Sequence, residues 1–186
     1  ISRSVVIERY VTGFDHRMLV VNDALIAVSL REPGHVVGDG MHTVEELVNE
    51  VNSDPRRGIG HERVLTRIEF DHQAETLLAK LGYTKQTVPP AGEKVYLRST
   101  GNLSTGGTAK DVTDVVHPDN AEMAVRAVKA IGLDVGGVDF LCDDITQSYK
   151  ESGGAICEIN AAPGFRMHLA PSEGLPRDVQ GAVLDM

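Results

Sequence analysis

Acidic and amide side chains on two strand-like segments form the sharpest chemical pattern in this sequence. Side chains alternate between the two faces of a strand, so Asp139 lies opposite its apolar neighbours in 137–142. Glu158 and Asn160 share one face of 156–160 in the same way. If the two strands pair, these three oxygen-bearing side chains collect on one side of a sheet and suit Mg²⁺, which prefers oxygen ligands. The alternative is a solvated sheet face, on which Asp and Glu are ordinary.

A turn at Pro163-Gly164 closely follows Asn160 and would bring Arg166 and His168 back over the same face. The guanidinium fork of arginine can donate two hydrogen bonds to a carboxylate or a phosphate. Arg166 is therefore a candidate for holding an anionic substrate. Without the neighbouring carboxylates, the same residues would indicate a surface turn with solvated charges.

The polar loop from Arg98 to Gly107 is a candidate anion cradle. Its glycines let backbone N–H groups approach a phosphate closely, and Asn102, Ser104 and Thr105 add polar contacts. The pattern is not specific, since Gly and Asn also form ordinary turns. Neither a GxxxxGKS/T loop nor a GxGxxG loop occurs, so these two motifs do not support nucleotide binding here.

Three other residue types have side chains that are capable of chemistry. Asp15 could hold a ribose hydroxyl, as acidic residues near nucleotides do, or could belong to a charged turn after Gly13. The histidines show no HxxxH or HExxH spacing, which disfavours zinc. Cys142 and Cys157 occupy the core side of their predicted strands, so we expect buried thiols rather than nucleophiles.

Strands and helices that could position these residues are readable from the apolar pattern. Apolar and β-branched runs predict strands at Val5–Val11, Arg17–Val21, Ala24–Leu30, Lys94–Arg98, Val135–Cys142 and Ala155–Asn160. Asn22-Asp23 predicts a tight turn between the second and third of these. Helical spacing predicts helices from Thr43 to about Asn52, between Asp71 and Gly82, from Pro118 to Ile131, and beginning in 178–185. Antiparallel hairpins and an excess of strands predict an α+β fold.

The composition limits the kinds of partner. The chain has 186 residues, with 18 Lys and Arg against 27 Asp and Glu and a net charge of −9. This balance argues against non-specific nucleic-acid binding and against a polybasic membrane surface. The longest apolar run, about Ala24 to Leu30, falls far short of the roughly 20 residues that a spanning helix needs. Two cysteines are too few for a disulfide framework, so we expect a cytoplasmic protein.

Both ends of the sequence fall within or beside an element. The chain opens at Ile1 close to a strand-like run and stops at Met186 just as a helix begins. Chain termini usually lie outside their elements. We therefore expect an ordered part of a longer protein; the alternative is a short natural protein with processed ends.

Several of these motifs together resemble the ATP-grasp ligases. Residues 6–15 resemble the hinge strand of that family, and 137–140 with 157–164 resemble its paired metal-ligand strands. Within the family, 35–40, 103–109 and 160–174 resemble cyanophycin synthetases. The resemblance covers essentially the whole chain, with several motifs in the same order and spacing.

The resemblance implies an ATP-dependent carboxylate–amine ligase in the cytoplasm. The ATP-grasp module of such enzymes phosphorylates the terminal carboxylate of a poly-aspartate backbone, and the amine of aspartate attacks the acyl phosphate. The implied fold is the C-terminal lobe of an ATP-grasp domain, a mostly antiparallel sheet with flanking helices. Residues 1–186 would form a partial domain, with a helical insertion at about 42–90 to which we assign no chemistry.

An upstream ATP-grasp lobe and a downstream Mur-ligase-like module would then lie outside this sequence. The isolated chain would show little or no catalysis, because about half of the nucleotide cleft would be missing. The implied partners are ATP, Mg²⁺, a cyanophycin primer and aspartate, with no nucleic acid and no membrane. The full-length protein would be a homo-oligomer.

The resemblance also implies roles for individual residues. The metal ligands would be Asp139, Glu158 and Asn160. Adenine would meet Glu8 and the backbone of Val11, and the ribose would meet Asp15. Phosphate or the growing chain would lie near Arg98, Asn102 and Ser104, and Arg166 would face a substrate carboxylate or the acyl phosphate.

Two other functions remain open from the sequence. The glutathione-synthetase-like module of bifunctional glutathione enzymes shares similar stretches at 35–40 and 104–107, and would join γ-glutamylcysteine to glycine. The run 160–166 favours cyanophycin synthetase over that enzyme. A non-catalytic ATP-grasp scaffold is the second alternative, and the intact set Asp139, Glu158 and Asn160 argues against it.

Overall fold

A five-stranded sheet organises the larger part of the computed structural model, which describes residues 9–60 and 62–186. Its strands and helices, in chain order, are β1 (Phe14–Val21), β2 (Ala24–Glu32), β3 (His35–Val37), α1 (Val44–Asn52), β4 (Arg57–Gly58), β5 (Leu65–Thr66), α2 (His72–Lys80), β6 (Lys94–Tyr96), β7 (Thr108–Asp111), α3 (Pro118–Ala130), β8 (Val135–Cys142), α4 (Tyr149–Ser152), β9 (Ala155–Asn160), α5 (Arg166–Leu169) and α6 (Val179–Leu184). The large sheet has the order β7-β2-β1-β8-β9, and every neighbouring pair is antiparallel. The predicted α+β class with a mostly antiparallel sheet is therefore confirmed.

The first predicted strand, Val5–Val11, lies mostly outside the described residues, as does Glu8. Its described part, from Arg9 to Val11, has no regular secondary structure. The second predicted strand begins earlier than expected, at Phe14 rather than Arg17, because β1 pairs with β8 along its whole length from Phe14 opposite Cys142. Tertiary pairing, which local pattern does not contain, sets that boundary.

The predicted turn at Asn22-Asp23 closes the β1–β2 hairpin. Both residues have positive φ, 47° and 61°, the backbone required by the tight hairpin turns that favour Asn and Asp. Farther from the turn the pairing changes from Val20 opposite Leu25 to Leu19 opposite Ala27, so Ile26 is an extra residue in β2. This β-bulge shifts the register of everything beyond it by one residue.

One face of the sheet packs against α3. Pro118 begins this helix as predicted, and Gly132, with φ 71°, follows its end. The buried cluster between helix and sheet comprises Met18, Val20, Val28, Met123, Ala124, Val128, Val138, Phe140, Cys142 and Ile145. The strand residues in this cluster alternate with the polar residues of the opposite face, so the core fixes the direction in which the polar side chains point.

The segment between β3 and β6 forms a second packed unit beside the sheet. Thr43 caps α1 in a reciprocal capping box with Glu46, and Asp71 caps α2, as predicted. Both helices bury apolar residues in one cluster, which contains Val36, Val44, Leu47, Val48, Ile68, Ala74, Leu78, Val95 and Leu97. Residues 42–90, the helical insertion expected from the sequence and called the insertion below, therefore share an apolar core with β3 and β6.

The expectation that both cysteines are buried is half wrong. Cys142 is buried against α3, and burial raises the pKa of its thiol to about 11, so it stays protonated. Cys157 is exposed. The reason is a second bulge: Asp139 pairs with Glu158 and Phe140 pairs with Ile156, which leaves Cys157 as the unpaired extra residue of β9.

None of the helices among the described residues is both long enough and apolar enough to cross a lipid bilayer.

Phe140 is the largest fully buried side chain and should dominate the stability of the α3 interface. We expect Phe140→Ala to lower the free energy of unfolding by about 3–5 kcal/mol, because it removes apolar contacts and leaves a cavity. Phe14→Ala is the matched control, since Phe14 is 61% exposed, and should change stability by less than about 0.5 kcal/mol. Denaturant titration of both variants measures the difference; equal losses would contradict this assignment of the core.

Candidate functional site

A row of charged side chains crosses the middle of the large sheet on the face opposite α3. Arg17 on β1 lies directly opposite Asp139 on β8, and Asp139 lies opposite Glu158 on β9. Asn160 lies opposite Gly137, two residues from Asp139, and so shares their face. The pairing that would gather Asp139, Glu158 and Asn160 on one side is therefore present.

Two arginines hold Asp139 in the centre of this row. Arg17 donates two hydrogen bonds to its carboxylate, from Nε to Oδ1 and from Nη2 to Oδ2, the latter 3.2 Å long. Arg31 on β2 approaches Asp139 Oδ2 to 3.0 Å and donates to Asp15 Oδ1 at 2.7 Å. Arg17 and Asp139 are each only 8% exposed, so these ion pairs lie in a poorly hydrated environment. Such pairs persist when geometry and hydrogen bonds are good.

The charges of this network reinforce one another. Burial opposes the charge of Arg31, but the hydrogen bonds and charges of Asp15 and Asp139 outweigh it and raise the pKa of Arg31 above its ordinary value. Gly137 leaves the room that the Arg17 side chain needs, because a Cβ on Gly137 would lie 3.1 Å from Arg17 Cδ and 2.7 Å from Pro163 Cβ. The Gly137 position is therefore part of the site's construction.

The charged row opens into a cleft of about 730 Å³. Three carboxylates and three guanidinium groups line it, from Asp15, Asp139, Glu158, Arg17, Arg31 and Arg166. The loop 100–104 forms another wall, which includes Asn102 and Ser104. A neighbouring cleft of about 990 Å³ shares Asp15, Asp139 and Glu158 with the first and extends to Val11 and Arg98.

The predicted anion cradle is a short structured turn. Residues 103–105 form one turn of 3₁₀-helix, and the side chain of Asn102 accepts a hydrogen bond of 2.9 Å from the amide of Ser104. Gly106 has φ 96°, and a Cβ there would lie 2.8 Å from Ile68 Cγ1. The hydrogen bond to Asn102 therefore fixes the shape of the loop, and the packing of Gly106 against Ile68 fixes it on the insertion.

Arg166 and His168 come back over the sheet after the Pro163-Gly164 turn, as predicted. Arg166 begins α5; its Nη2 lies 3.5 Å from Ser104 Oγ, and its Nη1 lies 3.5 Å from the carbonyl oxygen of Arg63. It thus bridges the loop and the insertion at the mouth of the cleft. His168 instead turns inward and is 1% exposed, with Nδ1 3.0 Å from Ser29 Oγ.

The segment after α5 ties this part of the site to the edge strand β7. Ser172 donates from its amide to the carbonyl of Ala109, and Asp111 donates from its amide to the carbonyl of Glu173. Arg177 then donates to Asp111 at 3.0 Å and to Asp114 at 3.0 Å. These contacts hold the chain that follows α5 against the edge of the sheet.

Arg98 does not point its donors into the charged row. It is 5% exposed, and its guanidinium donates to the carbonyl oxygens of Leu97 and Glu69 and to Asp71 Oδ1 at 3.1 Å. Arg98 lines the second cleft while binding the N-cap residue of α2. Arg98 is expected in the site, but its guanidinium binds Asp71 and the Glu69 carbonyl of the insertion instead.

No protein-family model matches the chain. Over 186 residues the chain is 55% identical to the cyanophycin synthetase of Nostoc sp., a match that covers 100% of the chain and 21% of that protein. The chain thus spans about a fifth of the length of the curated relatives that it matches first. It is also 38% identical over 183 residues to the bifunctional glutathione biosynthesis protein of Clostridium perfringens, covering 98% of the chain and 24% of that protein.

A solved structure shares the fold. The bifunctional glutathione synthetase from Pasteurella multocida matches with a TM-score of 0.79 and 34% identity, over 94% of this chain and 24% of that chain. This chain has the ATP-grasp fold. The resemblance to ATP-grasp ligases, and along the whole chain to cyanophycin synthetase, is thereby confirmed.

The ATP-grasp fold implies Mg²⁺, and the donor set on the charged row fits it. The carboxylate of Glu158 is exposed and has no hydrogen bond or ion pair within residues 9–60 and 62–186, and the Nδ2 atom of Asn160 is buried without a partner there. In the same described ranges, no three His, Cys, Asp or Glu side chains lie close enough to hold a metal. A metal here would thus take its remaining ligands from the Asn160 amide, water or a bound ligand, as Mg²⁺ does readily.

Arg17 and Arg31 are the site residues of this ATP-grasp chain that sequence reasoning missed. A usable signal exists, because Asp15 and Arg17 are two residues apart and must share a face of β1. The sequence does not reveal the bulge at Ile26, without which Arg17 would lie opposite Val28 rather than Ser29. That shift places Arg31 beside Asp15 and within reach of Asp139.

His168 makes the free energy of unfolding depend on pH. Burial lowers its pKa to about 4, and the positive charge of Arg17 acts in the same direction. The unfolded chain, with a histidine pKa near 6.5, therefore binds a proton that the folded chain excludes between pH 6.5 and about 4. We expect the free energy of unfolding to fall by up to about 1.4 kcal/mol per pH unit as the pH drops through this window.

His168→Gln should remove this contribution, because glutamine can still bond Ser29 Oγ but does not titrate. Denaturant titrations of wild type and variant at pH 7, 6, 5 and 4.5 give the difference, in which the carboxylate titrations common to both cancel. If the free energy of unfolding depends on pH in the same way for both proteins, His168 is not a buried neutral histidine.

Proposed function

We propose that the charged cleft binds Mg-ATP and the carboxylate of a peptide substrate, as part of an ATP-dependent carboxylate–amine ligase. The observation that carries the proposal is the row of Arg17, Asp139 and Glu158 facing an open cleft of about 730 Å³. Two adjacent carboxylates suit a divalent cation, and the arginines suit the anions that accompany it. The whole-chain match to cyanophycin synthetase supports the proposal independently.

The substrate that we propose is the poly-aspartate backbone of cyanophycin. The 55% identity to proteins named cyanophycin synthetase favours it over the glutathione precursor, for which the identity is 38%. The reaction would transfer the γ-phosphoryl group of ATP to the terminal carboxylate and release ADP. The amine nitrogen of aspartate would then attack the acyl carbon, forming the amide, releasing phosphate and giving up a proton to water.

Asp139, Glu158 and Asn160 would hold the metal in this scheme. Bound Mg²⁺ would neutralise charge on the phosphoryl group during transfer. Arg17 and Arg31 would keep the Asp139 carboxylate correctly oriented, since the two guanidinium groups bind both of its oxygens.

The remaining groups would orient the substrates. Asn102, Ser104 and Arg166 line the cleft and are suited to phosphate oxygens or the substrate carboxylate. Val11 lines the neighbouring cleft, and its backbone would meet the adenine there. Glu8, the other residue proposed to meet the adenine, lies outside the described residues. Asp15 would meet the ribose through Oδ2, because Arg31 occupies Oδ1. Arg98 lines the second cleft while bound to Asp71, and there it would lie near the phosphate or the growing chain.

Removing one metal ligand tests the chemistry. We expect Glu158→Gln to lower turnover at least about tenfold at low Mg²⁺ and to move the Mg²⁺ dependence to higher concentration, because an amide binds the cation more weakly than a carboxylate. Glu122→Gln on α3, on the other side of the sheet, is the matched control. Unchanged turnover of Glu158→Gln at ordinary Mg²⁺ concentrations would remove Glu158 from the metal site.

Phosphate release by the intact protein with Mg-ATP tests the substrate. One arm supplies a cyanophycin primer with aspartate, and the other supplies γ-glutamylcysteine with glycine. We expect release with the first pair alone. Release with the second pair alone would assign the chain to glutathione synthesis, and absence of Mg²⁺-dependent nucleotide binding would indicate a non-catalytic scaffold.

A further inference from the structure

A buried arginine in the insertion contacts the loop that lines the cleft. Arg57 lies on the short strand β4 and is 8% exposed. No carboxylate in residues 9–60 or 62–186 approaches it to ion-pair distance, and its neighbour Arg56 takes the Asp54 carboxylate instead. A buried charge is costly unless hydrogen bonds replace its hydration. The guanidinium of Arg57 must therefore be held by other acceptors.

Those acceptors are two backbone carbonyls from different parts of the chain. Arg57 Nη1 donates to the carbonyl oxygen of Thr66 at 2.6 Å and to that of Gly106 at 3.0 Å. Thr66 belongs to β5, which pairs with β4 in the insertion. Gly106 belongs to the loop that carries Asn102 and Ser104 into the cleft. One side-chain nitrogen thus joins the insertion to the wall of the site.

Packing also holds the loop, since Gly106 lies against Ile68 and Leu103 is buried. Its internal hydrogen bonds, from Thr105 and Gly107 to the carbonyl of Asn102, fix its shape but not its position against the sheet. The insertion also meets Arg166, whose Nη1 lies 3.5 Å from the carbonyl oxygen of Arg63 and whose Nη2 lies 3.5 Å from Ser104 Oγ in the loop. The insertion therefore contacts the loop through Arg57 and contacts the arginine beside the loop through Arg63.

We propose that Arg57 is a positioning residue that holds the loop 102–107 where its polar groups can bind an anion in the cleft. The proposal rests on the proposed function, in which that loop meets phosphate or carboxylate oxygens. It gives the insertion a role in the site: Arg57 contacts no reacting atom and acts through the Gly106 carbonyl. Charged donors make stronger hydrogen bonds than neutral ones, which suits a contact that holds a loop in place together with apolar packing.

The test compares Arg57→Met with Arg56→Met in the intact protein. Both substitutions remove a guanidinium from adjacent residues, but Arg56 is exposed, and within residues 9–60 and 62–186 its guanidinium pairs only with Asp54. Hydrogen exchange of the amides of 104–107, measured without any ligand, should rise roughly tenfold in Arg57→Met, the change that loss of a charge-assisted hydrogen bond gives. Exchange in β1, β2 and β8 should stay at the wild-type rate in both variants.

Kinetics supply the second readout. We expect the KM for ATP to rise roughly tenfold in Arg57→Met with kcat nearly unchanged, because a displaced loop weakens binding rather than chemistry. Arg57→Lys, which keeps one charged donor, should restore part of the KM and the exchange protection. If Arg57→Met fails to fold, Arg57→Lys replaces it in both measurements.

Two results would overturn the proposal. One is exchange at 104–107 equal in the Arg57 and Arg56 variants. The other is a loss of active fraction and melting temperature with an unchanged KM, as a merely structural residue would give. If the wild-type protein turns over no ATP, the proposed function fails, while the ligand-free exchange measurement still decides whether Arg57 holds the loop.

Discussion

Arg17 and Arg31 grip the Asp139 carboxylate in the middle of the sheet, and the arrangement of the cleft follows from that contact. An aspartate at that depth needs cations and hydrogen bonds in place of water. The two arginines can supply them only if β1, β2 and β8 keep one register. The apolar cluster on the opposite face enforces that register, because a slip of one residue would expose Met18, Val138 and Phe140.

The parts of the chain outside the sheet serve the same geometry. The segment from Pro163 to Arg177 returns Arg166 to the cleft and is fastened to β7 by Ser172 and Arg177. The insertion shares an apolar core with β3 and β6 and contributes contacts from Arg57 and Arg63. The cleft is therefore formed by loops that lie on a rigid charged sheet. Proteins that share a fold can bind different substrates because such loops differ between them.

The sequence predicts the polar side of β8 and β9 well, because alternation depends only on the strand itself. Asp139, Glu158 and Asn160 share a face as expected. It fails wherever a bulge intervenes: Cys157 was expected in the core and is exposed, and the partnership of Arg17 and Arg31 depends on the extra residue Ile26. A bulge is decided by pairing across strands, which local pattern does not encode. The inward turn of Arg98 toward Asp71 is likewise a tertiary effect.

The most direct test of the central claim is a crystal structure of the intact protein with Mn²⁺ and a non-hydrolysable ATP analogue. The anomalous signal of Mn²⁺ locates the metal independently of the protein density. We predict a peak within about 2.5 Å of carboxylate oxygens of Glu158 and Asp139, with the nucleotide phosphates beside Arg166 and the loop 102–107. A metal and nucleotide bound away from the row of Arg17, Asp139 and Glu158 would contradict it.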